Sequence, residues 1–368
     1  MTIAETKISG RQFMYSIICF IQASAILNAF ISNITYQESW LVVIFAFIIF
    51  IPSVFMYGAL INRFKDKNLI QIIIQIFGPV LGRIISVIYL IFFLSITMFN
   101  ITDLTDITKT SMLPTTPYII LVMMCILITA WAVRSGLRVL TIYSKMYVFL
   151  SSFIIILSII FLFNVIEIGN LFPIFSLPLK KYVQGIHILN AIPFGELVVF
   201  LLIAPNVQMN KKQTYKYFFL GASIGAFSFF LTVLRDISVL GETFGMFVFP
   251  SLVAFRLIRI TEAITRIEIL FIVILIILLI FKISILYYVT VITVSQIFNL
   301  KKYKNIVLSV GFFLMTAAIV LSANSIQHTL AAQNGAPFIW VTLQIIFPFI
   351  LLLISLIFNI KSPKEESK

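Results

Sequence analysis

Apolar residues in this chain gather into ten runs, each long enough to cross a bilayer as a helix of roughly 20 residues. They are 11–34, 40–61, 84–107, 117–135, 143–166, 187–207, 215–240, 267–297, 304–324 and 337–360. Polar positions concentrate in the connections, and two of these are more than turns. Residues 68–83 are apolar except for a Gln71/Gln75 stripe at i, i+4 spacing, and Gly78-Pro79 lies near their end. Too short to span, they predict an amphipathic helix along the cytoplasmic interface. Residues 235–266 mix Arg235, Asp236, Glu242, Arg256, Arg259, Glu262 and Arg266 with apolar positions around Pro250, which predicts one or two short helices on the outer side. The first run follows Lys7 and Arg11 and contains Ala23-Ser24-Ala25, like a secretory signal with its cleavage site. Apolar residues continue to Ile34, however, so the run is read as a retained span.

Composition agrees with that pattern. The chain has 368 residues, 61% hydrophobic and 11% charged, with a mean hydropathy of +1.13. Soluble domains carry about 25% charged residues; the apolar excess here needs lipid, so the chain is an all-α polytopic membrane protein. The net charge of +13 is explained by topology and gives no reason to expect nucleic acid. Most Lys and Arg residues fall in the alternate connections that face the cytoplasm if both termini do, as the positive-inside rule requires. Cys19 and Cys125 lie within apolar runs and are expected to be packed thiols. No connection is long enough for a soluble catalytic domain, and no phosphate-binding loop, metal-ligand spacing or catalytic triad is found. The expectation is therefore a non-enzyme without cofactor or metal.

Charges inside spans carry the functional information, because each costs about 2.5–3.5 kcal/mol at a helix centre. Glu196 lies about 14 Å into the sixth run and Lys282 about 22 Å from either end of the eighth, at ~1.5 Å per residue. Around Glu196 the chain reads Asn190-Ala191-Ile192-Pro193-Phe194-Gly195-Glu196. A proline followed two residues later by a glycine predicts a broken helix, tolerated only where the freed backbone is buried in protein or lines a cavity. Ten spans divide as five plus five; an odd number inverts the second half, so the first span pairs with the sixth. Interrupted helices at matching positions of inverted halves point to a transporter-type site. The first span offers Gln22-Ala23-Ser24-Ala25, small and polar but without glycine or proline, which also suits a helix-packing face. A Glu196–Lys282 pair holding two helices in register is the structural alternative. Thr97, Asn100 and Thr102 are candidate interhelical hydrogen-bonding groups. Asp103, Asp106 and Lys109 are expected at the outer interface of the third span, and His187 and His328 near the outer water interface.

Several of these residues form a recognisable series. Ile8-Ser9-Gly10-Arg11-Gln12, Ala25-Ile26-Leu27, Trp40, Arg134-Ser135-Gly136-Leu137, Pro193-Phe194-Gly195-Glu196 and Phe281-Lys282-Ile283-Ser284-Ile285 stand in the order and spacing of one family. From about Ile8 to Phe358 the chain resembles the spore germination permeases, the B subunits of germinant receptors within the amino acid–polyamine–organocation transporter superfamily. The resemblance implies two inverted five-helix repeats (8–166 and 187–360) in a single leucine-transporter-like membrane domain, with helices 1 and 6 discontinuous around a central ligand. The ligand-binding set expected is Ala23, Ser24, Ala25, Asn100, Phe194, Gly195, Glu196 and Lys282. Ala23 stands where the family usually has a glycine. The resemblance also implies a small nutrient, an amino acid first among them, larger A-type and lipoprotein C-type partner subunits, and the spore inner membrane as location. Two functional expectations follow: a germinant-sensing receptor subunit or, alternatively, a proton-coupled amino acid transporter. A scaffold without a ligand site is the third reading.

Overall fold

The computed structural model describes residues 7–25, 29–258, 268–321, 330, 331, 333 and 335–361. Helices account for nearly all of it. In chain order they are α1 (Gly10–Ala25), α2 (Ala29–Thr35), α3 (Ser39–Arg63), α4 (Leu69–Ser111), α5 (Tyr118–Ser135), α6 (Leu137–Ile142) and α7 (Ser144–Phe161). They continue as α8 (Leu179–Leu189), α9 (Phe200–Ile203), α10 (Lys211–Leu240), α11 (Pro250–Arg256), α12 (Glu268–Ile297), α13 (Val307–Leu321), α14 (Ala336–Val341) and α15 (Phe347–Ile357). Among the described residues eight helical stretches are long and apolar enough to cross a membrane, and Val307–Val320 is apolar but shorter. Ten spans are thus not reproduced by length: α1 ends after 16 residues at Ala25, and its continuation α2 runs on toward α3.

The same side-chain device starts two of the long helices. Asn68 accepts from the Gln71 N–H while Gln71 reaches back to the Asn68 N–H, and Asn210 and Gln213 do the same for α10. The first of these uses half of the Gln71/Gln75 stripe. Gln75 accepts from Lys67 Nζ at 2.8 Å and donates to the Lys361 carbonyl at 3.3 Å. Within α4 the axis breaks at Gly78, whose φ of +78° glycine tolerates and other residues avoid, and Pro79 restarts the helix. The break comes five residues before the sequence-based boundary at 83/84, because the Gly-Pro dipeptide sets it.

Another difference lies at the C-terminal end of α10. Arg235 and Asp236 were expected in an outer connection, yet both are buried within the helix, which runs on to Leu240. They pair at 2.5 Å, and Arg235 Nη1 donates to Ser158 Oγ at 2.7 Å and sits over the Phe255 ring. Ser251 of α11 donates to the second oxygen of Asp236. The cluster joins α7, α10 and α11; charge that looked solvated in sequence is satisfied internally. Of the 235–266 stretch, only residues 235–258 are described; Arg259, Glu262 and Arg266 lie outside the described residues, as does His328.

The core surrounds α1, which packs against α7, α10 and α12, while α4 packs along α12 and α3 along α10. Phenylalanine rings fill the seam: Phe13 meets Phe200 and Phe218 edge-on, and Phe20 meets Phe200. At the start of the chain, Ile8–Ser9 (β1) pairs in parallel with Val207–Gln208 (β2), pinning the entry of α1 to the chain leaving α9. Cys19 and Cys125 are buried free thiols. His187 is half-buried, with its ring 4.6 Å from that of Phe338.

Candidate ligand-binding site

The helix containing Pro193 does not run through. From α8 it passes into a wide turn over Asn190–Phe194, in which Ile192 takes extended angles (φ −137°, ψ 115°), then a tight turn over Gly195–Val199 before α9. Proline supplies no N–H and its ring excludes a regular turn before it; glycine permits the close approach that follows. A Cβ at Gly195 would lie 2.3 Å from Gln344 Oε1 and 2.4 Å from the Asn190 carbonyl oxygen, closer than any side chain tolerates. The Gly195 N–H donates back to the Asn190 carbonyl, closing the wide turn.

Across this interruption stands α12. Lys282 Nζ lies 2.5 Å from Glu196 Oε2 and donates to Ser24 Oγ at 2.5 Å, and its ammonium is 4.8 Å from the centre of the Phe20 ring. Lys282 and Glu196 are each 1% exposed. Ser24 belongs to the last turn of α1, which ends at Ala25. One ammonium therefore ties together the end of α1, the break after α8 and the middle of α12. An ammonium there also offsets the negative end of the α1 dipole.

Of the expected set, Ser24, Glu196 and Lys282 converge directly. Ala23 and Ala25 flank Ser24 and are fully buried. Phe194 stacks on Phe50 of α3, ring centres 5.7 Å apart. The amide N–H of Asn100 donates to the Ile96 carbonyl one turn back on α4, at 2.8 Å, and Asn100 is buried. The neighbouring Thr97 does reach α12, its hydroxyl 3.3 Å from that of Thr290. Gln22 points elsewhere, accepting from Ser151 and donating to Ser152 and Ser228.

Sequence reasoning missed two buried polar groups, one beside the break and one away from it. Gln344 sits in a wide turn over Thr342–Ile346 that interrupts the last apolar run, and its Nε2 donates to the Ala191 carbonyl at 3.0 Å. Tyr57 of α3 and Tyr89 of α4 donate to the backbone carbonyls of Gln344 and Leu343 at 2.6 and 2.7 Å. A glutamine at mid-span was the available signal. The second is Glu38, buried between α2 and α3, which accepts from the N–H groups of Phe175 and Ser176 at 2.7 and 3.0 Å and from the Ser176 and Tyr182 hydroxyls. It fastens the connection after α7 to the start of α3. No group of three His, Cys, Asp or Glu residues able to hold a metal occurs among the described residues.

Comparisons with known proteins follow the same lines. The family described as spore germination protein matches residues 7–329. Spore germination protein KB of Bacillus subtilis (strain 168) is 25% identical over 372 residues, covering 99% of this chain and 98% of its own. The putative spore germination protein YfkT of the same organism is 25% identical over 319 residues, covering 86% and 87%. Among solved structures the chain resembles Mhp1, a nucleobase-cation-symport-1 family transporter, in a closed conformation with bromovinylhydantoin bound. That likeness has a TM-score of 0.58 at 14% identity and covers 89% of this chain and 76% of the other. It supports the leucine-transporter-like fold and leaves the ligand open.

Proposed function

The chain belongs to the spore germination protein family, and on that premise we propose that it is a nutrient-sensing membrane subunit binding a small molecule, an amino acid, where α1, the Asn190–Gly195 break and α12 meet. The observation that carries this reading is the Lys282 ammonium held between Glu196 and Ser24. A lysine and a glutamate at mid-membrane are too costly to be incidental, and they sit where two helices stop short. Ends of interrupted helices offer unpaired N–H and C=O groups to the carboxylate and ammonium of an amino acid. In this reading Lys282 takes the place of a coupling cation, its fixed charge serving the carbonyl end of α1.

Sensing needs a ligand that favours one of two packings, since equal affinity for both shifts nothing. Binding that draws the end of α1 toward the Asn190–Gly195 break changes the contacts of both with α12, and that change is what A-type and C-type partner subunits would read. The proposal includes cytoplasmic termini and the spore inner membrane. The transporter reading keeps the same site and adds release on the far side; the likeness to a transporter supports it.

The test uses purified protein in liposomes with radiolabelled L-amino acids under an imposed proton gradient. Saturable binding without accumulation is the expected result. Accumulation driven by the gradient establishes transport, and no binding of any amino acid removes the ligand class.

A further inference from the structure

The pairing of Glu196 with Lys282 has a chemical consequence for the ligand. A carboxylate already neutralised by a buried ammonium is a poor partner for a second one, so an ammonium-bearing ligand needs another acceptor. Buried acceptors without a donor are costly and call for a partner. Gln344 is fully buried, and its Oε1 has no hydrogen-bond partner among the described residues; the same is true of Asn190 Oδ1.

The two side chains stand on either side of the helix interruption. Gln344 Nε2 is engaged at the Ala191 carbonyl, which fixes its amide plane and aims Oε1 at Gly195. Asn190 Nδ2 is engaged at the Ile186 carbonyl at 2.9 Å, which fixes the second amide in the same way. Each amide has its donor committed to backbone and its acceptor left over. The turn carrying Gln344 is itself anchored by the Tyr57 and Tyr89 hydroxyls, so its position does not depend on the side chain.

We propose that Gln344 is a specificity-determining residue of the central site: its amide N–H holds the Ala191 carbonyl in place, and its carbonyl oxygen accepts a hydrogen bond from an ammonium-bearing ligand. The inference rests on the central-site reading above and adds the ligand's charge pattern to it. Glu196 and Lys282 supply the paired charges of the site; neutral amide oxygens select the amine. Water in the same place would satisfy the oxygen equally well in the empty protein and be displaced on binding.

The experiment measures dissociation constants of the proteinogenic L-amino acids and of their desamino counterparts for the purified full-length chain. Native protein should prefer the amino form. Gln344→Met, of similar length and without hydrogen-bonding groups, also frees the Ala191 carbonyl and weakens both probes, but its preference for the amino over the desamino form should fall about tenfold to a hundredfold. Gln344→Glu gives up the donor to Ala191 but keeps an acceptor and adds negative charge, so its preference for the amino over the desamino form should rise above native. If Met destabilises the protein, the Glu variant alone decides.

Equal losses for both probes, or a Glu variant with native preference, would make Gln344 purely structural and overturn the proposal. Should the native chain bind no amino acid while Glu196→Gln also leaves every response unchanged, the central-site reading fails and this one with it. Native binding abolished by Glu196→Gln but untouched by Gln344→Met refutes only the role given to Gln344.

Discussion

Removing one member of the Lys282–Glu196 pair and removing both should separate folding from sensing. At 2.5 Å and an effective dielectric of about 20, the two charges attract by about 7 kcal/mol. Desolvation of each ion costs several kcal/mol, so the intact pair contributes little net stability. A single truncation, Lys282→Met or Glu196→Gln, leaves the other charge buried and uncompensated, which costs about 3–5 kcal/mol. Both single variants should therefore show lowered abundance in membranes and a lower melting temperature after purification. The double variant Glu196→Gln/Lys282→Met removes both charges at nearly constant volume, and its abundance and melting temperature should return close to native. The decisive measurement is the nutrient response of spores carrying this gene as their only receptor of the family. If the pair belongs to the ligand site, the double variant is present and unresponsive. A double variant that responds like the native protein would show that the pair only holds helices in register, and the site assignment would be wrong.

Other perturbations follow from the packing. Gly195→Ala places a methyl against Gln344 Oε1 and the Asn190 carbonyl, so it should cost about 1–3 kcal/mol by overpacking, seen as a lower melting temperature and a lost response. Glu38→Gln replaces an acceptor-only carboxylate that serves Phe175, Ser176 and Tyr182. About 2–3 kcal/mol should be lost, and proteolysis of the 162–178 connection should quicken. Arg235→Met removes the counter-charge of buried Asp236 and should destabilise by about 3–5 kcal/mol, whereas Arg235→Met/Asp236→Asn should recover much of the loss; thermal melts of the set check the difference. Ser24→Phe inserts a ring beside Lys282 and should shift ligand sensitivity; unchanged sensitivity with reduced abundance would assign Ser24 to packing alone.

Much of the site was legible in sequence because the membrane makes polarity expensive. Glu196 and Lys282 stood out by depth alone, and Pro193-Phe194-Gly195 announced the break that brings them into range. Asn100 read as a hydrogen-bonding group whose partner was open, because a polar side chain on a helix can bond one turn back or reach another helix; its amide N–H bonds one turn back. Arg235 and Asp236 read as loop charges because adjacent opposite charges near a span end are usually solvated; here they bond to each other and to Ser158 and Ser251. Gln344 was passed over because a single glutamine in an apolar run signals neither a widened turn nor its partner on another helix.

The sequence alone determined the solvent of this protein, the approximate spans, the interruption at Pro193 and the two buried charges, since each follows from local composition against the cost of exposing polar groups to lipid. Tertiary structure decided what those charges do. That Lys282 meets both Glu196 and Ser24, and that Gln344 completes the break from a helix far along the chain, depend on helix rotation and depth. Those are fixed by packing among distant segments, about which hydropathy carries no information.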